Sequence, residues 1–491
     1  MKYISTRGSN QTKTSAQAII KGIAEDKGLY VPVSFPKLDK DPADLVGMNY
    51  REVAFLVLSK FLTDYTEEEL RYCINNAYDS KFEAEEVVPV VKAGDAWFLE
   101  LYHGRTAAFK DMALSILPYL LTTAMKKEKE DKKIAILTAT SGDTGKAALE
   151  GFADVPNTEI IVFFPKHGVS KVQARQMVTQ EGANTHVFAI EGNFDDAQTA
   201  VKNIFNDRKL AEELEEKGYK LSSANSINIG RLVPQVAYYV WAYVKLIEQG
   251  AIKSDEKINI VVPTGNFGNI LAAYYAAKMG VPVGKFICAS NKNKVLTDFI
   301  RTGVYDSDRE FYVTSSPSMD ILISSNLERL LYHLSGDDGE EVSALMQALE
   351  KDKKYEVSKK IRDGLGDFYG GYADEGATQD TIARMYKENG YLMDTHTAVG
   401  YRVYEEYRKA TGDETPTVIA STASAYKFAE SVAAAIGLPE EADGFASIRA
   451  LHEATGVKIP AGLKGLEDKE IRHKTTLEKD ALADAVKASL K

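Results

Sequence analysis

The run Ile134-Ala135-Ile136-Leu137-Thr138-Ala139-Thr140-Ser141-Gly142-Asp143-Thr144-Gly145-Lys146 decides the class of fold. An unbroken apolar segment gives way to hydroxyls and glycines, and a helical pattern follows from Lys146. Continuous apolar strands, rather than alternating ones, belong to sheets covered on both faces. The pattern then recurs. A strand over 160–164 stops at Pro165, a helix spans 170–180 before Gly182, a strand covers 186–190 and a helix 194–206. A second block opens with a strand over 258–262, the loop Pro263 to Asn269 and a helix to Met279, with later strands over 286–289 and 417–420. Strand–helix alternation of this kind implies parallel sheets in an α/β fold.

The chain has 491 residues, too many for one simple core. Its net charge of −11 argues against a general nucleic-acid or membrane-surface role, so an anionic ligand needs a local cationic site. The two cysteines, Cys73 and Cys288, form neither a disulfide framework nor a zinc set, and the seven histidines show no metal spacing. No metal is expected. Met1 to Arg7 lacks the apolar core of a secretory leader. Residues 258–277 are uncharged, but Pro263, Gly265, Asn266, Gly268 and Asn269 inside them disfavour a lipid-spanning helix. A soluble cytoplasmic protein is expected. The first ninety or so residues read as mostly helical, with Thr66 and Glu69 in a capping-box pattern, and 318–375 reads as a helical, charge-rich insertion.

In α/β sheets ligands bind beyond the carboxyl ends of strands, where polar loops lead into helix N-termini. Four such junctions stand out: 140–145, 225–231, 264–269 and 421–424. The glycines of Gly265-Asn266-Phe267-Gly268-Asn269 would let main-chain N–H groups approach a phosphate, although a plain tight turn explains them equally well. Ser141 to Lys146 fails as a nucleotide loop, because its glycines are too close and Ala147 replaces the magnesium-binding hydroxyl. What remains is a hydroxyl-rich helix N-terminus suited to a carboxylate. Asn225, Ser226, Asn228 and Arg231 offer amides, a hydroxyl and a guanidinium, which is either a polar helix entry or a clamp for a dianion. Upstream, His103-Gly104-Arg105-Thr106-Ala107-Ala108-Phe109-Lys110-Asp111 places a lysine at a helix start. Such a lysine is an ordinary surface residue unless it is desolvated. If it is, its neutral amine can form a Schiff base.

Taken together and in order, residues 103–111, 141–145, 225–231, 265–269 and Ser421-Thr422-Ala423-Ser424-Ala425-Tyr426-Lys427-Phe428 resemble the threonine synthase family. Arg7-Gly8 and Gly28-Leu29-Tyr30-Val31-Pro32 resemble that family's N-terminal domain. The resemblance implies a pyridoxal 5′-phosphate enzyme of fold type II, with two open, twisted, mostly parallel sheets flanked by helices and a mainly helical N-terminal domain. It implies an N-terminal domain over 1–95 and a large cofactor-binding domain over 96–130 and 225–440. A smaller α/β domain over 131–224 and a helical C-terminal segment over 441–491 complete the expected division.

By the same resemblance, Lys110 is the Schiff-base lysine and the catalytic base, with Phe109 beside it at the cofactor. Gly265, Asn266, Phe267, Gly268 and Asn269 hold the cofactor phosphate, and the Thr422 hydroxyl faces its ring nitrogen. Ser141, Gly142, Asp143 and Thr144 receive the substrate carboxylate. Asn225, Ser226, Asn228 and Arg231 are candidates for the substrate phosphate. The implied reaction converts O-phospho-L-homoserine and water to L-threonine and phosphate, in a monomer or homodimer. Two departures from the family pattern, Arg105 and Ala425 where prolines are expected, bear on loop rigidity, and Arg105 could bring a cation to the site. The rival readings are a serine or threonine dehydratase of the same fold, which needs no dianion clamp, and an inactive relative that binds a phosphorylated metabolite.

Overall fold

The computed structural model describes residues 1–140, 142–167 and 169–490. Its framework is two sheets. The larger runs in the order Phe368–Tyr372, Val283–Ser290, Ile258–Pro263, Thr417–Ser421, Ala96–Glu100, Val90–Ala93. Every neighbouring pair is parallel except the last, a hairpin. The smaller sheet is parallel throughout, in the order Thr476–Glu478, Thr185–Glu191, Thr158–Pro165, Lys133–Ala139, Tyr219–Ser222. Ile258–Pro263 and Thr417–Ser421 are buried at every position, as strands covered on both faces must be.

Strand order decides where the loops meet. Thr417–Ser421 lies between Ile258–Pro263 and Ala96–Glu100, with Val418 paired to both Ile260 and Trp97. The loops after residues 100, 263 and 421 therefore leave the same end of three adjacent strands. In the smaller sheet Lys133–Ala139 and Tyr219–Ser222 are neighbours, so the loops after 139 and 222 also emerge together. The second of these feeds the helix Ile229–Glu248, which is buried along its first eighteen residues and largely apolar, as a central helix should be.

The N-terminal region packs on that helix. Asn49 and Thr66 cap Tyr50–Phe61 and Glu67–Ala77 through reciprocal boxes with Glu52 and Glu69. The Trp241 indole donates to the Val88 carbonyl at 2.7 Å. This region is less uniformly helical than its sequence suggests, since Tyr3–Ser5 pairs antiparallel with Tyr30–Pro32.

Two other segments differ from expectation. The insertion over 318–375 contains the helices Leu327–Ser335 and Gly339–Asp352, but it also supplies Phe368–Tyr372, an edge strand of the larger sheet. The segment over 441–490 is not purely helical, because Thr476–Glu478 forms the edge of the smaller sheet beside Thr185–Glu191. Among the described residues no helix is long and apolar enough to cross a membrane.

Candidate active site

Lys110 caps the one-turn helix Asp111–Leu114. The loop before it is fastened to the loop after Ser421 by main-chain bonds. Phe109 N–H donates to the Thr422 carbonyl at 2.7 Å, Ser424 N–H donates to the Ala107 carbonyl at 3.0 Å, and Ala108 bridges Ala423. Burial holds the Lys110 amine below the ordinary lysine range; Asp143 opposes this, while Arg231 and Lys427 push the same way. A single helical turn contributes little field, so desolvation rather than a helix dipole does most to favour the neutral amine. Its one side-chain hydrogen-bond partner among the described residues is Ser318 Oγ, at 3.5 Å. Thr422 is a buried residue, and its hydroxyl makes no hydrogen bond among the described residues.

Beyond Ile258–Pro263, the loop Gly265 to Asn269 opens the helix Gly268–Met279. A Cβ at Gly265 would stand 2.3 Å from the Ser318 carbonyl oxygen, so the backbone approaches too closely for a side chain. Phe267 sits in the left-handed region at φ 64°, and its ring is buried against Phe368. It therefore offers the site only its main chain. Asn269 is buried; its Oδ1 accepts from the Tyr239 hydroxyl, which leaves Nδ2 buried with no partner among the described residues. The Asn266 side chain is exposed, and its carbonyl accepts from Asn326 N–H and Nδ2, both at 3.0 Å. The loop is thus a cradle of helix-start N–H groups and one unpaired amide, suited to an anion.

On the opposite sheet, Gly142 caps the helix Asp143–Phe152 at φ 152°. The Thr140 hydroxyl accepts from the N–H groups of Gly142 at 3.0 Å and Gly145 at 2.9 Å. The Gly142 N–H, expected to face a ligand, is therefore already engaged, and the free N–H groups of the first turn are those of Asp143 and Thr144. Ser141 lies outside the described residues. Asp143 is buried, and its Oδ1 stands 2.9 Å from Lys427 Nζ and 3.1 Å from Gln173 Nε2. Burial alone would raise its pKa, but Lys427 and Lys110 outweigh this and hold the carboxyl well below the usual range. Lys427 has no exposed side-chain surface and also donates to Gln176 Oε1 at 2.8 Å.

Arg231 occupies the first turn of Ile229–Glu248 and is 4% exposed. Its Nη1 donates to the Ala224 carbonyl at 2.6 Å, its Nε has no partner, and no carboxylate pairs with it among the described residues. Burial pushes its pKa down to about 10. A buried cation at a helix N-terminus opposes both desolvation and the helix dipole, and an anion relieves both. Asn228, grouped with Arg231 by sequence, is otherwise engaged. Its Oδ1 caps the helix at Gly230 N–H (2.8 Å) and its Nδ2 donates to the Ile19 carbonyl (2.9 Å). Asn225 is exposed, and Ser226 Oγ stands 3.5 Å from Ser325 Oγ.

Asn326 ties the two anion-facing loops together, since its Nδ2 also reaches the Ser226 carbonyl at 3.3 Å. Arg329, buried next to it, donates to the carbonyls of Tyr30 (3.0 Å) and Ile227 (2.6 Å), while Arg7 grips Glu328 with two bonds of 2.9 Å. The N-terminal region thus braces these loops.

The two departures prove local. Arg105 is exposed and donates to Glu150 at 2.9 Å, so it brings no cation to the site. Ala425 begins the turn Ala425–Phe428, which Ser424 caps. Sequence reasoning missed Ser318, His396 and Asp394, which lie outside the recognised motifs, and missed the roles of Thr140, at the head of its junction, and of Lys427, within a motif.

Three family models match the chain: Threonine synthase N terminus over residues 2–78, Pyridoxal-phosphate dependent enzyme over 84–423 and Threonine synthase, C-terminal over 397–489. The human protein Threonine synthase-like 1 is 41% identical over 441 residues, covering 87% of this chain and 58% of that protein. The chain thus spans less than two thirds of that relative. Threonine synthase of Pseudomonas aeruginosa is 39% identical and covers 88% of this chain and 90% of its own. Among solved structures, PLP-bound threonine synthase from Brucella melitensis superposes with a TM-score of 0.89 at 36% identity, covering 100% of both chains. Yeast threonine synthase gives 0.89 at 32% identity, covering 100% of this chain and 98% of that one. With a buried lysine whose amine burial holds below the ordinary range, set between two polar loops on a two-sheet frame, the chain belongs to the pyridoxal-phosphate dependent enzymes of the threonine synthase family.

Proposed function

We propose that the protein converts O-phospho-L-homoserine and water to L-threonine and phosphate, acting in the cytoplasm as a monomer or homodimer. The observation that carries this reading is Arg231: buried, at a helix start, with no carboxylate partner among the described residues, and among the charges that act on the Lys110 amine. A dehydratase acting on an uncharged side chain has no use for such a cation. An inactive binder has no use for a buried amine whose charge burial disfavours.

The residues fit pyridoxal phosphate. The backbone at Gly265 leaves no room for a side chain, Asn269 Nδ2 is buried and unpaired, and the first turn of Gly268–Met279 offers its N–H groups to a phosphate. When bound, the cofactor supplies the electron sink for carbanion chemistry at the substrate amino acid.

Lys110 would anchor the cofactor beside Phe109. The Thr422 hydroxyl, neutral and unspent, would face the ring nitrogen. Released by the incoming substrate, the Lys110 amine draws the proton from Cα and then one from Cβ as phosphate leaves Cγ. Of the two protons taken, one would return to Cγ and one to Cα, while water adds its oxygen at Cβ as the hydroxyl and its remaining proton ends on the phosphate, giving threonine. Arg231 holds the phosphate through departure, a fixed charge that needs no reorganisation. Asp143 and Thr144 N–H groups receive the substrate carboxylate, and Lys427 cancels the Asp143 charge that would otherwise repel it. The two cysteines are buried and unpaired, in keeping with a reducing compartment.

Release of inorganic phosphate from O-phospho-L-homoserine, with threonine formed in equal amount, tests the reading. Formation of a keto acid from threonine without phosphate release would favour the dehydratase. A protein that pyridoxal phosphate leaves colourless would favour the inactive binder.

A further inference from the structure

The segment 314–320 runs between Lys110 and the Gly265 loop, and nothing in its sequence marks it. Asn291 Nδ2, with two hydrogens to donate, lies within hydrogen-bond distance of Thr314 Oγ1 (2.8 Å), Ser316 Oγ (3.0 Å) and Asp320 Oδ1 (2.7 Å). Thr395 Oγ1 donates to the Ser315 carbonyl at 2.7 Å, and the Ser318 N–H donates to His396 Nε2 at 3.1 Å. A main-chain N–H can only donate, so Nε2 carries the lone pair and the ring proton lies on Nδ1. That proton faces Asp394 Oδ2 at 2.8 Å. Asp394 is wholly buried and also accepts from the N–H groups of His396 (2.9 Å) and Thr397 (3.1 Å). The imidazole, packed on Phe428, is therefore fixed in tautomer and orientation.

Ser318 is held from both sides. Its N–H is on His396, and its carbonyl oxygen lies against Gly265, where a Cβ would stand 2.3 Å away. Rotation about χ1 is the freedom left, and the hydroxyl lies 3.5 Å from Lys110 Nζ. The charged groups that also act on this amine, Asp143, Arg231 and Lys427, reach it from other elements.

We infer that Ser318 is a positioning residue for the Lys110 amine, set in place by His396 on Asp394. Its hydroxyl accepts an N–H from the amine whenever Lys110 is free of the cofactor, which keeps the nitrogen lone pair aimed at the carbon it must attack. The step served is a condensation: the C=N bond forms, one water leaves, and nothing is oxidised or reduced. This inference rests on Lys110 being the point of attachment.

The test mixes cofactor-free protein with pyridoxal phosphate and follows the rate of covalent attachment by absorbance. Affinity for pyridoxine phosphate, which lacks the aldehyde, is measured in parallel. Ser318→Ala and His396→Leu are each expected to slow attachment about ten- to a hundred-fold while pyridoxine phosphate affinity stays within about twofold. His396→Gln, whose amide oxygen can accept the Ser318 N–H, should restore most of the rate. Ser318→Ala keeps the main-chain contacts and so tests the hydroxyl even if His396→Leu fails to fold. Wild-type attachment in Ser318→Ala would overturn the inference, as would no rescue by Gln. A loss of pyridoxine phosphate binding in His396→Leu as large as its loss of rate would also overturn it. If borohydride fixes the cofactor to Lys110 and Ser318→Ala still attaches at full speed, this inference alone fails. If the label is on another residue, the reading of Lys110 fails first.

Discussion

The main-chain N–H of Phe109 donates to the carbonyl of Thr422 at 2.7 Å, so the loop carrying Lys110 and the loop carrying the unspent hydroxyl form one rigid unit. The position of the Thr422 main chain relative to Lys110 is thus set by backbone hydrogen bonds. Thr422→Val keeps the shape and removes the donor. It should weaken cofactor binding by about 1 kcal/mol, the worth of one hydrogen bond, while attachment at Lys110 persists. Titration of cofactor-free variant with pyridoxal phosphate measures this, and an unchanged dissociation constant would remove Thr422 from the site.

Arg231 should show opposite signs in function and in stability. Arg231→Met removes a buried cation from a helix N-terminus, which should leave the cofactor-free fold equally stable or up to about 3 kcal/mol more stable. The same change should lower kcat/KM for O-phospho-L-homoserine by about a hundred-fold or more and spare cofactor attachment. Urea unfolding and steady-state kinetics check the two halves. A destabilised variant with unaltered kcat/KM would show that the arginine is merely structural.

Asp111 gives a pH signature. Burial pushes its carboxyl up to about 6, against the pull of Thr106 N–H and Oγ1, which donate at 2.8 and 2.6 Å. The folded state therefore binds this proton more tightly than the unfolded chain. The Asp111 contribution to stability is greatest below about pH 4 and falls by ~3 kcal/mol as pH rises to about 6. Asp143 and Glu150, whose carboxyls are depressed by lysine partners, act with the opposite sign at lower pH. The difference in unfolding free energy between wild type and Asp111→Asn isolates the Asp111 term. It should shift against wild type between pH 4 and 6, and a constant difference would refute the assignment.

Gly265→Ala puts a Cβ against main chain, not against a flexible side chain. The Ser318 strap must move, and with it the contact to Lys110. Cofactor affinity should fall about ten-fold or more, with the larger loss at the site rather than in the core. Gly268→Ala meets only side-chain atoms at ordinary contact distance, Asn326 Nδ2 at 3.5 Å and Gln235 Nε2 at 3.8 Å, and should be tolerated far better. Equal effects from the two would contradict the cradle geometry.

The strands that frame the site were legible because they are buried on both faces and read as unbroken apolar runs, and the loops because their glycines and hydroxyls follow those runs directly. Edge strands were not. Phe368–Tyr372 contains two glycines and Thr476–Glu478 is three residues long, so neither has a periodicity to detect. Local pattern also could not show that the Asn228 amide donates to the Ile19 carbonyl, more than two hundred residues away in the chain. Arg105 looked like a site cation because its partner, Glu150, lies on a helix of the opposite sheet. Ser318, His396 and Asp394 carry no motif. They become a unit only when the helix Thr395–Thr411 brings its N-terminus to the strap.

The central claim is that one buried amine, Lys110, is the nitrogen that carries the cofactor. Borohydride reduction of the cofactor-loaded protein, followed by digestion and peptide mass mapping, tests it most directly. A single phosphopyridoxyl label on Lys110, and none in Lys110→Ala, is the expected result. A label on Lys427, Lys146 or any other lysine, or an unlabelled protein that still releases phosphate, would contradict it.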